Sequence, residues 1–247
     1  MASYLITGSS RGLGLSMAAA LASKPATEVA KIFATGLDKT DSLQKLVDNS
    51  ACRVESVQLD ITSKKSVQHA VRQVSHSLKG KGLDVLINSA GEGSSCNGSI
   101  LDSTDLEQVF RINGNLPLLK QGNLKNVQDH LALSSSKLGS IGLSSDLMRW
   151  PAPGYKISKA ALNMLTVQYA TELKAEGFTF ISINPGWVQT ELGGPTAELT
   201  AEQSTTAVLD AINHADASET RSFFAIRVPG YVAPADGNRY DGGHLPW

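Results

Sequence analysis

Tyr155 and Lys159 stand four residues apart in a stretch whose composition predicts a helix. On a helix this spacing places both side chains on one face, with Cβ atoms about 5–6 Å apart. A phenol titrates near pH ~10, and bringing its pKa toward neutrality takes about 4 kcal/mol of phenolate stabilisation. An ammonium group about 4 Å away in a partly buried site provides an energy of that order. The pair therefore predicts a tyrosine that exchanges protons, although such a pair also arises by chance about one time in four.

A glycine-rich turn at residues 7–14 is a second candidate site. It follows the apolar run 4–6 and precedes an alanine-rich helical stretch, 15–22. Its three glycines allow a sharp turn and a close approach to a pyrophosphate, and the start of the helix presents unpaired N–H groups to phosphate. The spacing is G-x-x-x-G-x-G rather than the commoner G-x-G-x-x-G, so an ordinary loop stays the alternative for this turn taken alone.

Polar clusters follow three more of the predicted strands. Ser134, Ser135 and Ser136 follow the fifth strand, residues 88–91 end the fourth, and residues 184–190 follow the sixth. In an open α/β sheet, ligands bind in the crevice beyond the carboxyl ends of the strands. We therefore expect these clusters and the glycine-rich turn to line one crevice.

The elements that must position these residues alternate along the chain. Short runs of β-forming residues are separated by longer helical patterns, which is typical of βαβ units and a parallel sheet. The predicted strands are 5–7, 32–35, 54–59, 85–88, 131–134, 178–183 and 222–226. We predict a doubly wound Rossmann fold of the α/β class, a single domain over residues 1–247 with a mostly parallel seven-stranded sheet flanked by helices.

Two helices are the clearest. The first is predicted from Ser63, as N-cap, to Leu78, with an apolar stripe at steps of three and four residues. The second is predicted over 154–175, stopped by Gly177 in a left-handed conformation. Its predicted buried face comprises Ala160, Ala161, Met164, Leu165, Tyr169 and Leu173.

The region from 114 to 150 is the least regular. Pro117, Gly122 and Asn123 interrupt the helix expected before the fifth strand. Asp129 and His130 leave only residues 131–133 as a weak strand. Loops are predicted for 192–195 and 229–247, which are rich in Gly and Pro.

Composition argues against several other functions. The formal net charge is −1 and the basic residues are scattered singly, so no basic stripe indicates nucleic acid or an anionic membrane as a partner. No run approaches the roughly 20 apolar residues of a membrane span, and no signal peptide precedes the first strand, so we predict a cytoplasmic protein. Cys52 and Cys96 are too few for a disulfide framework, and the 5 histidines show no metal-binding spacing, so no metal site is predicted.

Together these motifs resemble those of the short-chain dehydrogenase/reductase family. The family pattern T-G-x-x-x-G-x-G, N-x-A-G, Ser, Y-x-x-x-K and P-G-x-x-x-T occurs here in order, at 7–14, 88–91, Ser136, Tyr155 with Lys159, and 185–190. The match spans nearly the whole chain, and the joint pattern is far more specific than any of its parts. Residues 228–231, 240–243 and 246–247 also resemble a carbonyl-reductase-like branch common in fungi.

The resemblance implies hydride transfer between a nicotinamide and a carbonyl or alcohol carbon. It makes Tyr155 the proton donor, Ser136 a hydrogen-bond donor to the carbonyl oxygen, and Lys159 the group that lowers the tyrosine pKa and holds the nicotinamide ribose. Asn113 matches the asparagine that anchors a proton-relay water. The cofactor-binding residues it implies, besides Tyr155 and Lys159, are Gly8, Ser10, Arg11, Gly12, Leu13, Gly14, Asp60 (to the adenine amino group), Ile61, Asn88, Ala90, Gly91, Pro185, Gly186, Val188 and Thr190, with Val188 and Thr190 at the carboxamide.

The choice between NADP(H) and NAD(H) depends on charge near the adenine ribose. Gly36 occupies the position of the NAD-selecting acid, and Arg11 lies in the phosphate turn where a cation favours NADP. Asp38 could instead reach a ribose hydroxyl, and Leu37 stands where many NADP-dependent relatives carry arginine. The balance favours NADP(H), with NAD(H) as the alternative.

Two segments depart from the family pattern. Residues 113–136 are shorter than the family's helix, loop and strand. Because that helix usually forms half of the family's dimer interface, its shortening argues against a homodimer formed in the usual way. Residues 136–155 are longer than usual, and an inserted loop there could shape the substrate pocket. Substrate loops are expected near 92–100, 142–153 and 186–202.

The leading hypothesis is an NADP(H)-dependent oxidoreductase that reduces a ketone or aldehyde. The rival is a dinucleotide-binding protein without redox turnover, such as a regulator, a non-redox cyclase or a scaffold. The irregular stretch 114–133 motivates the rival, and the presence of both Tyr155 and Lys159 argues against it.

Overall fold

The computed structural model describes residues 1–96, 98–113, 130–234 and 238–247. In these ranges one parallel sheet contains seven strands in the order β3-β2-β1-β4-β5-β6-β7. The strands are β1 (Ala2–Ile6), β2 (Val29–Gly36), β3 (Val54–Gln58), β4 (Val85–Asn88), β5 (His130–Ser134), β6 (Thr179–Asn184) and β7 (Ser222–Ala225). The helices are α1 (Gly12–Ser23), α2 (Asp41–Asn49), α3 (Lys64–Leu78), α4 (Leu106–Asn113), α5 (Pro153–Glu172) and α6 (Ala201–His214).

This topology confirms the predicted doubly wound fold. The chain builds outward from β1 to β3 and then returns to place β4 on the other side of β1. The order of strands therefore reverses between β1 and β4, which is the point where open α/β sheets bind their ligands. Each of the seven predicted strands is present, with ends shifted by a few residues.

Residues alternate between the two faces of the sheet, and each face builds its own core. Ile6, Ile32 and Ala34 pack with α1 and α6, whereas Leu5 and Phe33 pack on the opposite face with α3 and α5. Because strands of a parallel sheet are buried on both faces, they read as continuous apolar runs. This property made the strands visible in the sequence.

The fifth strand is longer than predicted. His130 begins β5 and pairs with Val85 on one side and Thr179 on the other. Its ring Nε2 lies 2.6 Å from the carbonyl oxygen of Ala215, so the polar side chain has a partner at the edge of the core. The prediction that His130 stands outside the strand is therefore wrong.

Helix α3 confirms its predicted N-cap. Ser63 Oγ accepts a hydrogen bond from the Ser66 amide at 3.3 Å, and Val67, Ala70 and Val74 are buried. Gly177, with φ of +80°, ends the short 3-10 helix that follows α5, as its predicted left-handed stop requires.

Helix α5 corrects one predicted buried residue. Met164 is 59% exposed, while Asn163 and Thr166 are buried instead. Thr166 Oγ1 lies 2.8 Å from Ser182 Oγ of β6, and Ser135 Oγ donates to Asn163 Oδ1 at 2.6 Å. Polar groups can be buried when they are hydrogen-bonded to each other. The prediction chose the buried face of this helix by apolar character alone, and it therefore included Met164 in place of Asn163 and Thr166.

Residues 114–129 lie outside the described part of the chain. The predicted interruption by Pro117, Gly122 and Asn123 and the predicted shortening of the dimer-interface helix fall there. Among the residues that the structure describes, no helix combines the length and apolar character that a membrane crossing requires.

Candidate active site

The motifs singled out in the sequence lie at one edge of the sheet. The glycine-rich turn follows β1, residues 88–91 follow β4, the serines follow β5, and residues 185–190 follow β6. These four strands are neighbours in the order β1-β4-β5-β6. Their carboxyl ends therefore define a common crevice at the reversal point of the sheet.

The glycines of the turn answer to different constraints. Gly8 has φ of +69°, and a Cβ on it would stand 2.7 Å from Ala90 Cα. Gly12 also has a positive φ, of +57°, but a Cβ there would have only Thr190 as a neighbour, at 3.7 Å. A Cβ on Gly14 would overlap the carbonyl group of Gly8. Gly8 and Gly14 thus bring the turn against its neighbours, while the conformation alone requires glycine at Gly12.

The start of α1 presents free amide groups to the crevice. Arg11 is the N-cap residue of this helix, and its side chain makes no capping hydrogen bond. The first N–H groups of such a helix are able to hold a phosphate. Arg11 itself is exposed and forms an ion pair with Glu191 at 3.1 Å.

The second half of the turn is tied to β2 and α2. Thr40 Oγ1 donates to the Ser10 carbonyl at 2.7 Å, and a Cβ on Gly36 would stand 3.0 Å from Ser10 Cβ. Leu13 is half-buried and packs against the α1 side of the core. Leu37 and Asp38, which follow Gly36 in the chain, are exposed. Because Gly36 has no side chain, there is room beside Ser10.

The residues after β3 and β4 complete this half of the crevice. Asp60 Oδ1 accepts hydrogen bonds from the Thr62 amide at 2.8 Å and from Thr62 Oγ1 at 2.7 Å, and Ile61 packs against the core. The Ala90 amide donates to Thr7 Oγ1 at 3.0 Å. Within the described residues, the buried Asn88 Nδ2 has no hydrogen-bond partner. A buried amide without a partner is costly, so it indicates a group that binds there.

This half of the crevice fits a dinucleotide. The positive-φ glycines, the uncapped helix start and the orphaned Asn88 amide are the features that a pyrophosphate and its attached riboses require.

Tyr155, Ser136 and Lys159 are brought together by α5 and the end of β5. The side chain of Ser136 lies close enough to Tyr155 to influence the tyrosine pKa. The Lys159 ammonium lies 5.5 Å from the centre of the Tyr155 ring and donates to the Ser134 carbonyl at 2.8 Å. Burial is the main influence on both titrating groups, and it lowers the pKa of Lys159 to about 8.

The predicted fall in the tyrosine pKa is wrong for this arrangement. Burial raises the pKa of Tyr155 to about 12, and the influence of the Ser136 side chain offsets only part of that rise. A buried phenolate loses its hydration, which raises the tyrosine pKa. The Lys159 ammonium donates its hydrogen bond to the Ser134 carbonyl rather than to the phenol oxygen. Tyr155 is therefore protonated at neutral pH, as a proton donor must be, but it is a weaker acid than the spacing predicts.

Asn113 is buried at the end of α4 and borders the same crevice. Its Nδ2 donates to Ser158 Oγ and to the Glu92 carbonyl, each at 2.9 Å, and its Oδ1 accepts the Glu92 amide at 2.9 Å. A Cβ on Gly91 would stand 3.2 Å from Asn113 Oδ1 and 3.6 Å from Lys159 Nζ. Asn113 and Lys159 therefore flank Gly91 together.

The turn after β6 is held from several sides. Ser204 Oγ donates to the Pro185 carbonyl at 2.7 Å, and Gly186 has φ of +85°. Val188 is buried and pairs with Leu199 in an isolated parallel bridge. Thr190 Oγ1 accepts the Gly193 amide at 3.1 Å. The predicted carboxamide positions thus lie in a rigid turn.

The predicted substrate loops meet above these residues. Trp150 and Trp187 pack edge to face with ring centres 5.2 Å apart, which joins the loop before α5 to the turn after β6. A Cβ on Gly93 would stand 2.7 Å from Leu192 Cδ1, which joins the loop after β4 to the same turn. Asn97 in the first loop lies outside the described residues.

Two groups of positioning residues are absent from the sequence predictions. Asp105, the residue before α4, accepts hydrogen bonds from Ser94 Oγ at 3.0 Å and from the Ser95 amide at 2.6 Å, and so fixes the loop after β4. Glu198 and Tyr240 contact each other beside the turn after β6. Only the Ser-Thr-Asp sequence before α4, a common helix start, could have drawn attention to Asp105.

Known proteins resemble this chain in sequence and fold. The family model for short chain dehydrogenases matches residues 3–201, and the chain belongs to that family. C-signal of Myxococcus xanthus is 35% identical over 175 residues, which cover 67% of this chain and 93% of that protein. Short-chain dehydrogenase RED3 of Pyricularia oryzae is 30% identical over 93% of this chain and 97% of its own length. The NADPH-bound carbonyl reductase from chicken fatty liver superimposes with a TM-score of 0.81 at 27% identity, over 99% of this chain and 98% of that one.

This membership confirms the predicted family and agrees with the carbonyl-reductase resemblance. The chain is a short-chain oxidoreductase whose neighbours act on carbonyl groups, as the name of the chicken enzyme states.

Proposed function

We propose that this protein is an NADP(H)-dependent reductase of a ketone or aldehyde, and that residues 1–247 form a single NAD(P)-binding domain. One observation carries the proposal: the side chains of Ser136, Tyr155 and Lys159 lie together at the strand ends that also carry the glycine cradle. NADPH, when bound, supplies the hydride that reduces the carbonyl carbon.

The chain's own residues provide the proton and the hydrogen bonds. Ser136 and Tyr155 hydroxyls hold the carbonyl oxygen, and Tyr155 gives its proton to that oxygen as negative charge develops there. Buried Lys159, with its pKa near 8, stands beside the phenol to stabilise the phenolate that remains. Asn113 and Lys159 flank Gly91, and we place the return of a proton to Tyr155 on this side of the site. The net reaction consumes one proton from solvent for each alcohol formed.

The cofactor would be held by the residues that the family resemblance implies. Gly8, Ser10, Gly12, Leu13 and Gly14 would receive the pyrophosphate at the start of α1. Asp60 and Ile61 would contact the adenine, and Asn88, Ala90 and Gly91 would line the cleft. The remaining cofactor contacts would come from Tyr155, Lys159, Pro185, Gly186, Val188 and Thr190.

NADP(H) is favoured over NAD(H) by the position of Arg11. Its exposed guanidinium stands at the N-terminus of α1, where it can pair with a 2′-phosphate as it now pairs with Glu191. The relative from chicken liver binds NADPH. An Arg11→Ala variant should raise the KM for NADPH about tenfold or more and leave the KM for NADH nearly unchanged.

The reaction is tested by mixing the purified protein with NADPH and a panel of aldehydes and ketones. Wild type should oxidise NADPH, and Tyr155→Phe should lose a factor of about 10²–10⁴ in rate while still binding NADPH. Tyr169→Phe is the matched control, because Tyr169 lies on the same helix and stacks on Phe180 away from the crevice. Activity that survives in Tyr155→Phe would exclude the proposed role of this residue.

The rival function is dinucleotide binding without turnover, as in a regulator or scaffold. The likeness to C-signal, a protein named for signalling, is the observation that keeps this alternative. Tight NADPH binding with no oxidation across the whole panel would favour it. A homodimer and a cytoplasmic location stay predictions; light scattering that finds only a 26.1 kDa species would exclude the dimer.

A further inference from the structure

Tyr240 is a buried tyrosine in segment 240–243, and the carbonyl-reductase-like resemblance of that segment assigns it no role. It lies in the segment 238–247, after β7, and is only 4% exposed. Its ring packs directly against the turn after β6: a Cβ on Gly186 would stand 2.9 Å from Tyr240 Cε1. The Tyr240 ring can pack in this position because residue 186 is a glycine and has no side chain.

The Tyr240 hydroxyl joins the turn to a carboxylate. It accepts a hydrogen bond from the Trp187 amide at 3.1 Å and donates its own proton to Glu198 Oε2. Asn238 Nδ2 donates to the same Glu198 oxygen at 2.9 Å, and Tyr231 also hydrogen-bonds Glu198. A hydroxyl that donates to a carboxylate becomes a better acceptor, so Glu198 strengthens the bond to the Trp187 amide.

The other hydrogen bonds of this turn leave the Trp187 amide to Tyr240. The Leu199 amide donates to the Trp187 carbonyl at 3.0 Å, and the Trp187 indole donates to the Gly193 carbonyl at 2.7 Å. These contacts come from the same loop and move with it. Tyr240 is different because it reaches the turn from a segment 53 residues away in the chain.

Glu198 keeps its charge in this half-buried position. Burial raises its pKa, but the hydrogen bonds from Tyr240, Asn238 and Tyr231 lower the pKa more, so the net change is downward. The carboxylate is thereby held as an ionised acceptor for the Tyr240 hydroxyl. The segment 238–247 also reaches the serine loop, where Lys137 Nζ donates to Asn238 Oδ1 at 3.4 Å.

We propose that Tyr240, oriented by Glu198, is a positioning residue that fixes the Gly186–Trp187 backbone against which the nicotinamide half of the cofactor binds. This inference rests on the proposed NADP(H)-dependent function. It assigns Tyr240 no contact with substrate or cofactor; its action passes through the Trp187 amide.

The test compares Tyr240→Phe with wild type in two binding titrations. NADPH binding is followed by the fluorescence of its nicotinamide, and 2′,5′-ADP, which lacks the nicotinamide half, is titrated by calorimetry. Loss of the hydrogen bond should raise the Kd for NADPH about threefold to tenfold and leave the Kd for 2′,5′-ADP within about twofold of wild type. Tyr240→Phe keeps the ring against Gly186, and a second variant, Glu198→Gln, should shift the NADPH Kd in the same direction.

Tyr231→Phe is the matched control. It also removes a tyrosine hydroxyl from Glu198, and its ring packs on Tyr240 with centres 4.7 Å apart, but the Trp187 amide bonds Tyr240 and not Tyr231. Its NADPH Kd should rise less than that of Tyr240→Phe.

Two results overturn the inference. An unchanged NADPH Kd in Tyr240→Phe, or an equal rise for NADPH and 2′,5′-ADP, would show that Tyr240 supports the fold without acting on the nicotinamide half. If wild type itself fails to bind NADPH, the proposed function is refuted and the inference falls with it. The wild-type titration therefore separates the two failures.

Discussion

Replacing Gly8 with alanine tests the packing of the phosphate turn. Gly8 has φ of +69°, and a Cβ would stand 2.7 Å from Ala90 Cα and 2.9 Å from Ala90 N, well inside the 3.4 Å at which ordinary contact begins. The left-handed conformation costs an alanine about 1–2 kcal/mol. Overlap with backbone atoms, which cannot rotate away, adds about 1–3 kcal/mol. Gly8→Ala should therefore lower the free energy of unfolding by about 2–5 kcal/mol.

Gly80→Ala is the matched control for this change. Gly80 has a similar φ of +83°, but a Cβ there would meet no atom of the described residues within 4 Å. Only the conformational cost of about 1–2 kcal/mol applies to it. Urea unfolding of the three proteins without cofactor measures the difference in free energy of unfolding. In thermal unfolding the same difference should lower the Tm by about 2–4 °C for each kcal/mol. Equal losses in the two variants would refute the claim that close packing on Ala90 requires glycine at this position.

Three further changes test the electrostatics of the site and its loops. The pKa of Lys159 falls from 10.5 to about 8, so between these pH values the unfolded chain binds more protons than the folded protein. In urea unfolding, the free energy of unfolding of wild type should therefore rise by about 2 kcal/mol relative to Lys159→Met from pH ~8 to ~10. Parallel pH profiles of the two proteins would contradict this. Asp105→Asn removes the carboxylate that holds Ser94 and should raise the KM for a carbonyl substrate about threefold while kcat is nearly kept; an unchanged KM would exclude this anchoring role. Glu191→Gln frees Arg11 and should tighten NADPH about twofold at low salt, with no change for NADH.

The fold was predictable because its strands are buried on both faces. Phe33 and Ile32, on opposite faces of β2, are both fully buried, so residues 32–34 read as a continuous apolar run. The motif residues were predictable because they follow such runs directly, and a parallel sheet brings all carboxyl ends to one edge. Ser136 could be placed in this crevice because it follows β5, whereas Tyr155 and Lys159, which lie on α5, were joined to it by their helical spacing and by the family resemblance.

The contacts that orient these residues could not be predicted in the same way. Tyr240 and Glu198 are 42 residues apart, and no periodic pattern joins them. The spacing of Tyr155 and Lys159 indicated proximity but not desolvation, so the direction of the tyrosine pKa was wrong. Met164 was misplaced because a pattern-based assignment puts apolar residues on the buried face of a helix. Polar residues can also be buried where they find hydrogen-bond partners, and the pattern does not show those partners.

The polar pairs beneath α5 set the register in which this helix lies on the sheet. Asn163 bonds Ser135, and Thr166 contacts Ser182, so two points along the helix are matched to two strands. Sliding the helix by one turn, about 5.4 Å, would part both pairs and leave Ser135 Oγ, Asn163 Oδ1 and Ser182 Oγ without these partners, at a cost of about 1–3 kcal/mol each, while Thr166 keeps its bond to the Leu162 carbonyl. An apolar seam would tolerate such slippage more easily. Lys159 lies one turn before Asn163 on the same helix. The two polar pairs therefore also hold the reacting groups in alignment.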